Sequence, residues 1–128
     1  MNEDFDINTL SESVPLRLKI ARCAREYKSR SVFAHACGAA VTTYRAHERG
    51  DYEMKASDII RYTNTLDIST RWLLTGQGHP LDHQSNPDPE RLAIFRYYIR
   101  LEASKAELKK ELGVTSAQNK KISFLSIS

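Results

Sequence analysis

The feature that most restricts the fold of this chain is a glycine that separates two helix-length segments within residues 33–50. The pattern predicts one helix over Arg30 to Cys37 and a second over Val41 to Arg49. Gly38 lies between them, where the chain must leave the first helix in a left-handed conformation that a Cβ atom would make costly. A small residue, Ala34, is placed to face the neighbouring helix. The segment therefore predicts two short helices joined by a tight corner.

Two short helices joined in this way form a helix-turn-helix, whose second helix carries polar side chains on its outward face. We expect Tyr44 and His47 to lie on the inward face of the second helix, with His47 a core residue. The candidates for contacts with DNA bases are Val41, Thr42, Arg45 and Ala46. Arginine suits the O6/N7 edge of guanine, and the methyl groups of threonine and alanine can meet a thymine methyl. The alternative for these side chains is a solvated helix surface.

The region around this motif is basic, although the net charge of the whole chain is only +3. Residues 14–50 contain eight lysines and arginines against two acids, a net charge of +6. Solvated helix faces would explain this charge, but its coincidence with the motif favours a surface that meets phosphates. The candidates for phosphate contacts are Ser29, Arg30, Thr43, Arg49 and Lys55.

Three further helices complete a compact bundle in this interpretation. The first covers Leu16 to Glu26, after Pro15, and its basic residues are expected to face outward. Helix 4 is expected over Ser57 to Leu66 with Ser57 as its cap, and helix 5 over Ser69 to Thr75 with Ser69 as its cap. The side chains that helix 4 offers to the core are Ile59, Ile60, Tyr62, Thr63 and Leu66. Trp72, with Leu73 or Leu74, is expected to seal the bundle.

Residues 15–78 resemble the phage-repressor-like helix-turn-helix family, also called the XRE or Cro/repressor type. The resemblance rests on Gly38 with the segment 42–50, on Leu66-Asp67-Ile68-Ser69, and on residues 71–76. It implies a five-helix bundle that binds a palindromic operator as a two-fold dimer. It also implies an ion pair between Glu48 and Arg22. The chain departs from the family pattern at Ala40, where relatives carry a capping Ser or Thr, and at Arg30, where many carry glutamine.

After Gly78 the composition changes to a proline-containing linker, residues 79–88, followed by a long helix over residues 89–113. Its apolar band consists of Leu92, Phe95, Tyr98, Ile99, Leu101, Leu108 and Leu112. This band can pack on the bundle or on a second copy of the chain. We favour self-association, because a dimer links two operator half-sites about 34 Å apart. Residues 114–128 are expected to form a short strand or to lack order.

Composition limits the remaining possibilities. Residues 1–13 are expected to form a flexible acidic arm, and their polarity excludes a signal peptide. Cys23 and Cys37 suggest reduced core thiols, and a bridge or metal site is the alternative. The group His79, Asp82 and His83 is a weak metal signature. With no apolar run near the roughly 20 residues of a membrane span, the protein is expected in the cytoplasm.

The sequence therefore predicts an all-α protein with a DNA-binding domain at residues 14–78 and a dimerisation helix at residues 89–113. The predicted function is a sequence-specific transcriptional regulator, a repressor of the phage or mobile-element type, whose partner is double-stranded DNA. The alternative is an antitoxin or other interaction protein that represses its own operon and binds a partner protein through its C-terminal helix. An enzyme is not expected, because the chain lacks a nucleophile, base and oxyanion constellation. No cofactor or metal is expected.

Overall fold

The computed structural model describes residues 13–113, and these fold into six α-helices with no strand among them. The helices are α1 Val14–Ala24, α2 Arg30–Cys37, α3 Val41–Arg49, α4 Ala56–Leu66, α5 Thr70–Thr75 and α6 Pro89–Leu112. The predictions of an acidic arm and of a C-terminal tail fall on residues 1–12 and 114–128, outside the described residues. The all-helical class and the long C-terminal helix are confirmed.

Local sequence signals set most helix ends. Side-chain oxygens cap four helices at their first backbone N–H groups, and the caps are Ser13, Ser29, Ser69 and Asp88. The predicted cap at Ser69 is thus confirmed, and Ser13 caps α1 although it belongs to the segment predicted as an arm. The α2 helix ends at Gly38, whose φ of 73° is the predicted left-handed conformation. The α3 helix begins at Val41, and the residue before it, Ala40, supplies no side-chain cap, as the sequence predicts.

Two helix boundaries differ from the prediction. The α1 helix ends at Ala24 rather than Glu26, because Glu26 adopts a left-handed conformation with a φ of 67°. The α4 helix begins at Ala56, and Ser57 is not its cap. Instead, the Asp58 carboxylate accepts the backbone N–H of Lys55 at 3.0 Å. An acid at the third helical position thus reaches back to the N–H of the residue that precedes the helix, as in one half of a capping box.

An aromatic cluster joins three of the helices in the core. The rings of Phe33 and Tyr44 lie 4.9 Å apart, and those of Tyr44 and Tyr62 lie 5.2 Å apart, in edge-to-face arrangements that suit aromatic pairs. Leu73 is the leucine that seals the bundle beside Trp72. Ile60, predicted for the core, is instead 57% exposed.

Arg17 is a core residue, which corrects the prediction that the basic residues of helix 1 face outward. Its side chain is buried, and its guanidinium donates hydrogen bonds to the carbonyl oxygens of Leu73 at 2.8 Å and Leu74 at 3.3 Å. These carbonyls belong to the last turn of α5, where free acceptors remain at a helix end. A short six-residue helix is thereby held against α1.

The N-terminal half of α6 packs on the bundle. Phe95 is fully buried, its ring lies 6.4 Å from that of Trp72, and the guanidinium of Arg25 lies over it at 5.3 Å. Lys19 of α1 bridges to Glu102 of α6 at 3.2 Å. The segment predicted as a linker is also packed, because Pro80 and Leu81 are buried and the Pro80 carbonyl accepts the N–H of Ser69 at 2.7 Å.

The packing of α6 corrects part of the predicted dimerisation set. Phe95 and Ile99 are buried by the protein's own bundle, and Leu92 and Tyr98 pack against the same core. Phe95 and Ile99 are therefore not free to meet a second copy, and Leu92 and Tyr98 are half-buried against the bundle. Leu108 and Leu112, at 41% and 59% exposure, remain on the surface, and Leu101 is half-buried. Across residues 13–113, no helix is both long and apolar enough to cross a membrane.

Candidate nucleic-acid interface

The α3 helix presents a polar outer face, which we define as Thr42, Thr43 and Arg45, all three exposed. Val41 is half-buried against the core. Ala46 is only 7% exposed, so its prediction as an outward base-contacting residue is corrected. Ala46 lines an open concavity beside Thr42 and Thr43, but its methyl group is too short to extend beyond its larger neighbours.

The inner face of α3 is fixed by polar contacts as well as by packing. His47 is buried, as predicted, and its Nδ1 lies 2.8 Å from the hydroxyl of Tyr62. Its Nε2 lies 3.8 Å from the carboxylate of Asp58. Burial raises the pKa of Tyr62 to about 12, and the nearby Asp58 charge contributes to this rise. These contacts fix the rotation of α3 about its axis.

Glu48 is the centre of a buried polar network that joins α1, α2 and α3. Arg22, the partner that the family resemblance implies, donates to both Glu48 oxygens, at 2.7 Å and 3.2 Å. The Tyr44 hydroxyl donates to Oε1 at 2.6 Å, and Arg30 Nε donates to Oε2 at 2.9 Å. Arg22 also donates to the Tyr27 carbonyl at 2.7 Å. Bidentate arginine bonds of this kind give directional as well as electrostatic stabilisation.

The charges of this network stabilise one another. Burial by itself would raise the pKa of Glu48, but the hydrogen bonds from Arg22, Tyr44 and Arg30 lower it below its usual value. Burial would likewise lower the pKa of Arg22, and the hydrogen bond to Glu48 raises it instead. The pKa of Tyr44 is raised by burial and by the Glu48 charge, so its phenol keeps the proton that it donates. The carboxylate therefore stays ionised within the bundle.

A cationic cleft lies between the N-terminus of α2 and the outer face of α3. Its volume is about 280 Å³. The residues that line it are Arg22, Lys28, Ser29, Arg30, Ser31 and Arg45. Arg22 and Arg30 are bound to Glu48, whereas the side chains of Lys28 and Arg45 have no hydrogen bond or ion pair with any other residue in the described range. The cleft thus brings two predicted phosphate-contacting residues, Ser29 and Arg30, together with a predicted base-contacting one.

The opposite flank of α3 has a different character. Thr42, Thr43 and Lys55 line an open concavity of about 680 Å³, the mixed-charge concavity, together with Tyr52 and Glu53. Tyr52 is 72% exposed and was not among the predicted site residues. An aromatic residue just after a glycine-ended helix is the signal that could have identified it. Arg49, a predicted phosphate contact, bridges to Asp51 at 2.8 Å.

The histidines and acids after Gly78 serve local contacts. His79 Nε2 lies 2.7 Å from Asp82 Oδ1, and Asp82 Oδ2 accepts the backbone N–H of His79 at 2.9 Å. His83 instead contacts Asp67 at 2.8 Å, and its hydrogen bond lowers the pKa of that carboxyl. Within residues 13–113 no group of three or more His, Cys, Asp or Glu is placed to hold a metal ion. Cys23 and Cys37 are free, half-buried thiols.

Comparison of the chain with protein-family models, with curated proteins and with solved structures finds no match.

Proposed function

We propose that this protein is a DNA-binding transcriptional regulator, with α2 and α3 forming a helix-turn-helix of the phage-repressor type and α3 entering the major groove. The observation that carries the proposal is the combination of an exposed polar face on α3 with a buried network that fixes that helix. Thr42, Thr43 and Arg45 are exposed, while Tyr44 and Glu48 anchor the other side. A helix that contacts base edges must project polar side chains from a rigid support.

The charges beside α3 support the same proposal. The cationic cleft adjoins one flank of the helix and contains Lys28 and Arg45 without partners in the described part of the chain. The α2 helix points its N-terminus at this cleft, where free N–H groups and the helix dipole favour an anion.

We further propose that the protein binds its operator as a homodimer. The C-terminal turns of α6 support this, since Leu108 and Leu112 are exposed apolar residues at helical spacing. The same two leucines are the observation that favours the second candidate function, an antitoxin or other interaction protein whose α6 binds a partner. The two functions differ in whether the exposed end of α6 meets a copy of itself or another chain.

A selection from a random pool of duplexes tests the proposal. The full chain should enrich a common motif, and a dimer should enrich one with two-fold symmetry. Thr42→Ala should change the preferred base at one position of the half-site, because a good base contact contributes about 1–3 kcal/mol of discrimination. Thr70→Ala, in the first turn of α5, is the matched control and should select the parent motif.

Failure to enrich any duplex over the starting pool would overturn the proposal. Enrichment of one motif by both the parent and Thr42→Ala, with equal base preferences, would show that DNA is bound without α3 in the groove. Recovery of a stoichiometric second protein on α6, together with unchanged DNA binding, would support the interaction protein as the better description.

A further inference from the structure

The side chain of Arg45 lies on the side of α3 that lines the cationic cleft, which we call the cleft flank. This position determines which part of a bound duplex the side chain can contact. Arg45 lines the cationic cleft with Lys28, Ser29 and Arg30. Thr42 and Thr43 line the mixed-charge concavity on the other flank instead. The polar residues of the outer face are therefore divided between two surfaces, although they follow one another closely in the sequence.

The charge of the cleft defines the ligand that suits it. Four cationic side chains, Arg22, Lys28, Arg30 and Arg45, line about 280 Å³. Among residues 13–113 the one acid that is hydrogen-bonded to any of them is Glu48, which already accepts from Arg22, Tyr44 and Arg30 and leaves a net charge of +3. Like charges brought together in this way repel one another until an anion enters. The neutral edge of a guanine would accept two hydrogen bonds but leave that repulsion in place. A phosphate offers the same acceptor geometry with a full negative charge.

We infer that Arg45 binds a backbone phosphate of the DNA and does not contact a base, so that sequence discrimination by α3 rests on Thr42 and Thr43. This inference rests on the proposed function and departs from the expectation drawn from the sequence, in which Arg45 contacts a base and Thr43 contacts a phosphate. It assigns the two flanks of α3 different tasks. The cleft flank fixes the position of the helix on the duplex through phosphate contacts. The flank with Thr42 and Thr43 discriminates between base sequences.

The test is a double-mutant cycle between Arg45 and single phosphates of the selected duplex. Each phosphate of a half-site is replaced in turn by an uncharged methylphosphonate, and affinities are measured for the parent and for Arg45→Ala. At one position the replacement should weaken binding by the parent about tenfold, the size expected for one charge-assisted contact, and leave Arg45→Ala unaffected. Arg100→Ala, an exposed arginine on α6, is the control and should respond as the parent does.

A second measurement separates a phosphate contact from a base contact. Arg45→Ala should weaken binding to the selected duplex and to a random duplex by the same factor, and the slope of log K against log salt concentration should fall in magnitude by about 0.9. Loss of affinity for the selected duplex alone, with a relaxed preference at one base pair, would overturn the inference while leaving the proposed function intact. A parent protein that binds neither duplex would overturn the proposed function itself.

Discussion

The α3 and α6 helices both carry a sequence pattern that predicts a surface for binding. The two helices differ in how much of that predicted surface is exposed. In α3 the polar residues predicted to face outward are exposed, and of the residues assigned to that face only Ala46 is buried. In α6 the apolar residues predicted to meet a second copy are partly covered, and Phe95 and Ile99 belong to the protein's own core. One helix keeps its predicted polar face exposed, and the bundle covers part of the predicted apolar face of the other.

This difference arises because the periodicity of apolar residues carries limited information. A repeat of 3.6 residues tells which side of a helix is buried but not which molecule covers it. For α3 the covering elements are its neighbours in sequence, so burial and exposure could be assigned correctly. For α6 the covering surface is formed by α1 and α5, which are distant along the chain. A long helix after a proline-containing segment gives no local signal of that docking.

The largest effect is expected for Phe95→Ala, which tests the docking of α6. Removal of a fully buried aromatic side chain should lower the free energy of unfolding by about 3–5 kcal/mol, through lost burial and the cavity left beside Trp72. Urea denaturation of the full chain measures this. Tyr97→Ala, at an exposed neighbouring position, is the control and should change stability by less than about 0.5 kcal/mol. Equal small effects at both positions would mean that α6 does not pack on the bundle in solution.

Glu48→Gln tests the polar support of α3. Loss of this buried charge leaves Arg22 without compensation and should lower the free energy of unfolding by about 3 kcal/mol. The same substitution at the exposed Glu107 of α6 should have little effect. If both variants unfold at the same urea concentration as the parent, the network contributes nothing to the fold and α3 is held by packing alone.

The pH dependence of this effect has a definite sign. The pKa of Glu48 is lower in the folded state than its ordinary value of 4.5, so its contribution is present above that pH and is lost as pH falls through the lowered value. The stability difference between the parent and Glu48→Gln should therefore shrink on acidification below about pH 4.5. A difference that stays constant down to pH 3 would contradict the assignment of a buried carboxylate.

Much of the bundle could be predicted because its signals are local. Ser29, Gly38 and Ser69 set helix ends through backbone N–H groups and a left-handed φ that sequence alone can anticipate. Arg17 could not be predicted, because its acceptors lie 56 and 57 residues away in the last turn of α5. The division of the outer face of α3 between two flanks was also missed. It depends on where the N-terminus of α2 and the loop with Tyr52 are placed around the helix.

A smaller effect on stability is expected at the start of α3, whose N-terminal cap can be compared with that of α6. The α6 helix is capped by Asp88, whereas Ala40, the residue before α3, offers no capping side chain. Ala40→Ser supplies a hydroxyl that can accept a backbone N–H of the first turn and should raise the free energy of unfolding by about 1 kcal/mol. Thermal denaturation measures the change, with Ala36→Ser on the exposed side of α2 as the control. A stability below that of the parent would place the start of the helix elsewhere.

The smallest effect on stability is expected for Leu112→Ser, since this side chain is 59% exposed. The free energy of unfolding of the monomer should change by less than about 0.5 kcal/mol. Self-association, measured by sedimentation equilibrium, should nevertheless weaken if the last turns of α6 form the proposed dimer. A parent that is dimeric together with an equally dimeric Leu112→Ser variant would move the interface to another surface.

The most direct test of the central claim compares α3 and α6 in one titration. Backbone amide resonances of the full chain are followed by NMR as the selected duplex is added. The account predicts that the largest shifts fall on residues 29–31 and 41–46, with residues 97–108 unchanged once any dimer is saturated beforehand. Shifts concentrated on α6, with Thr42 and Thr43 unaffected, would contradict it.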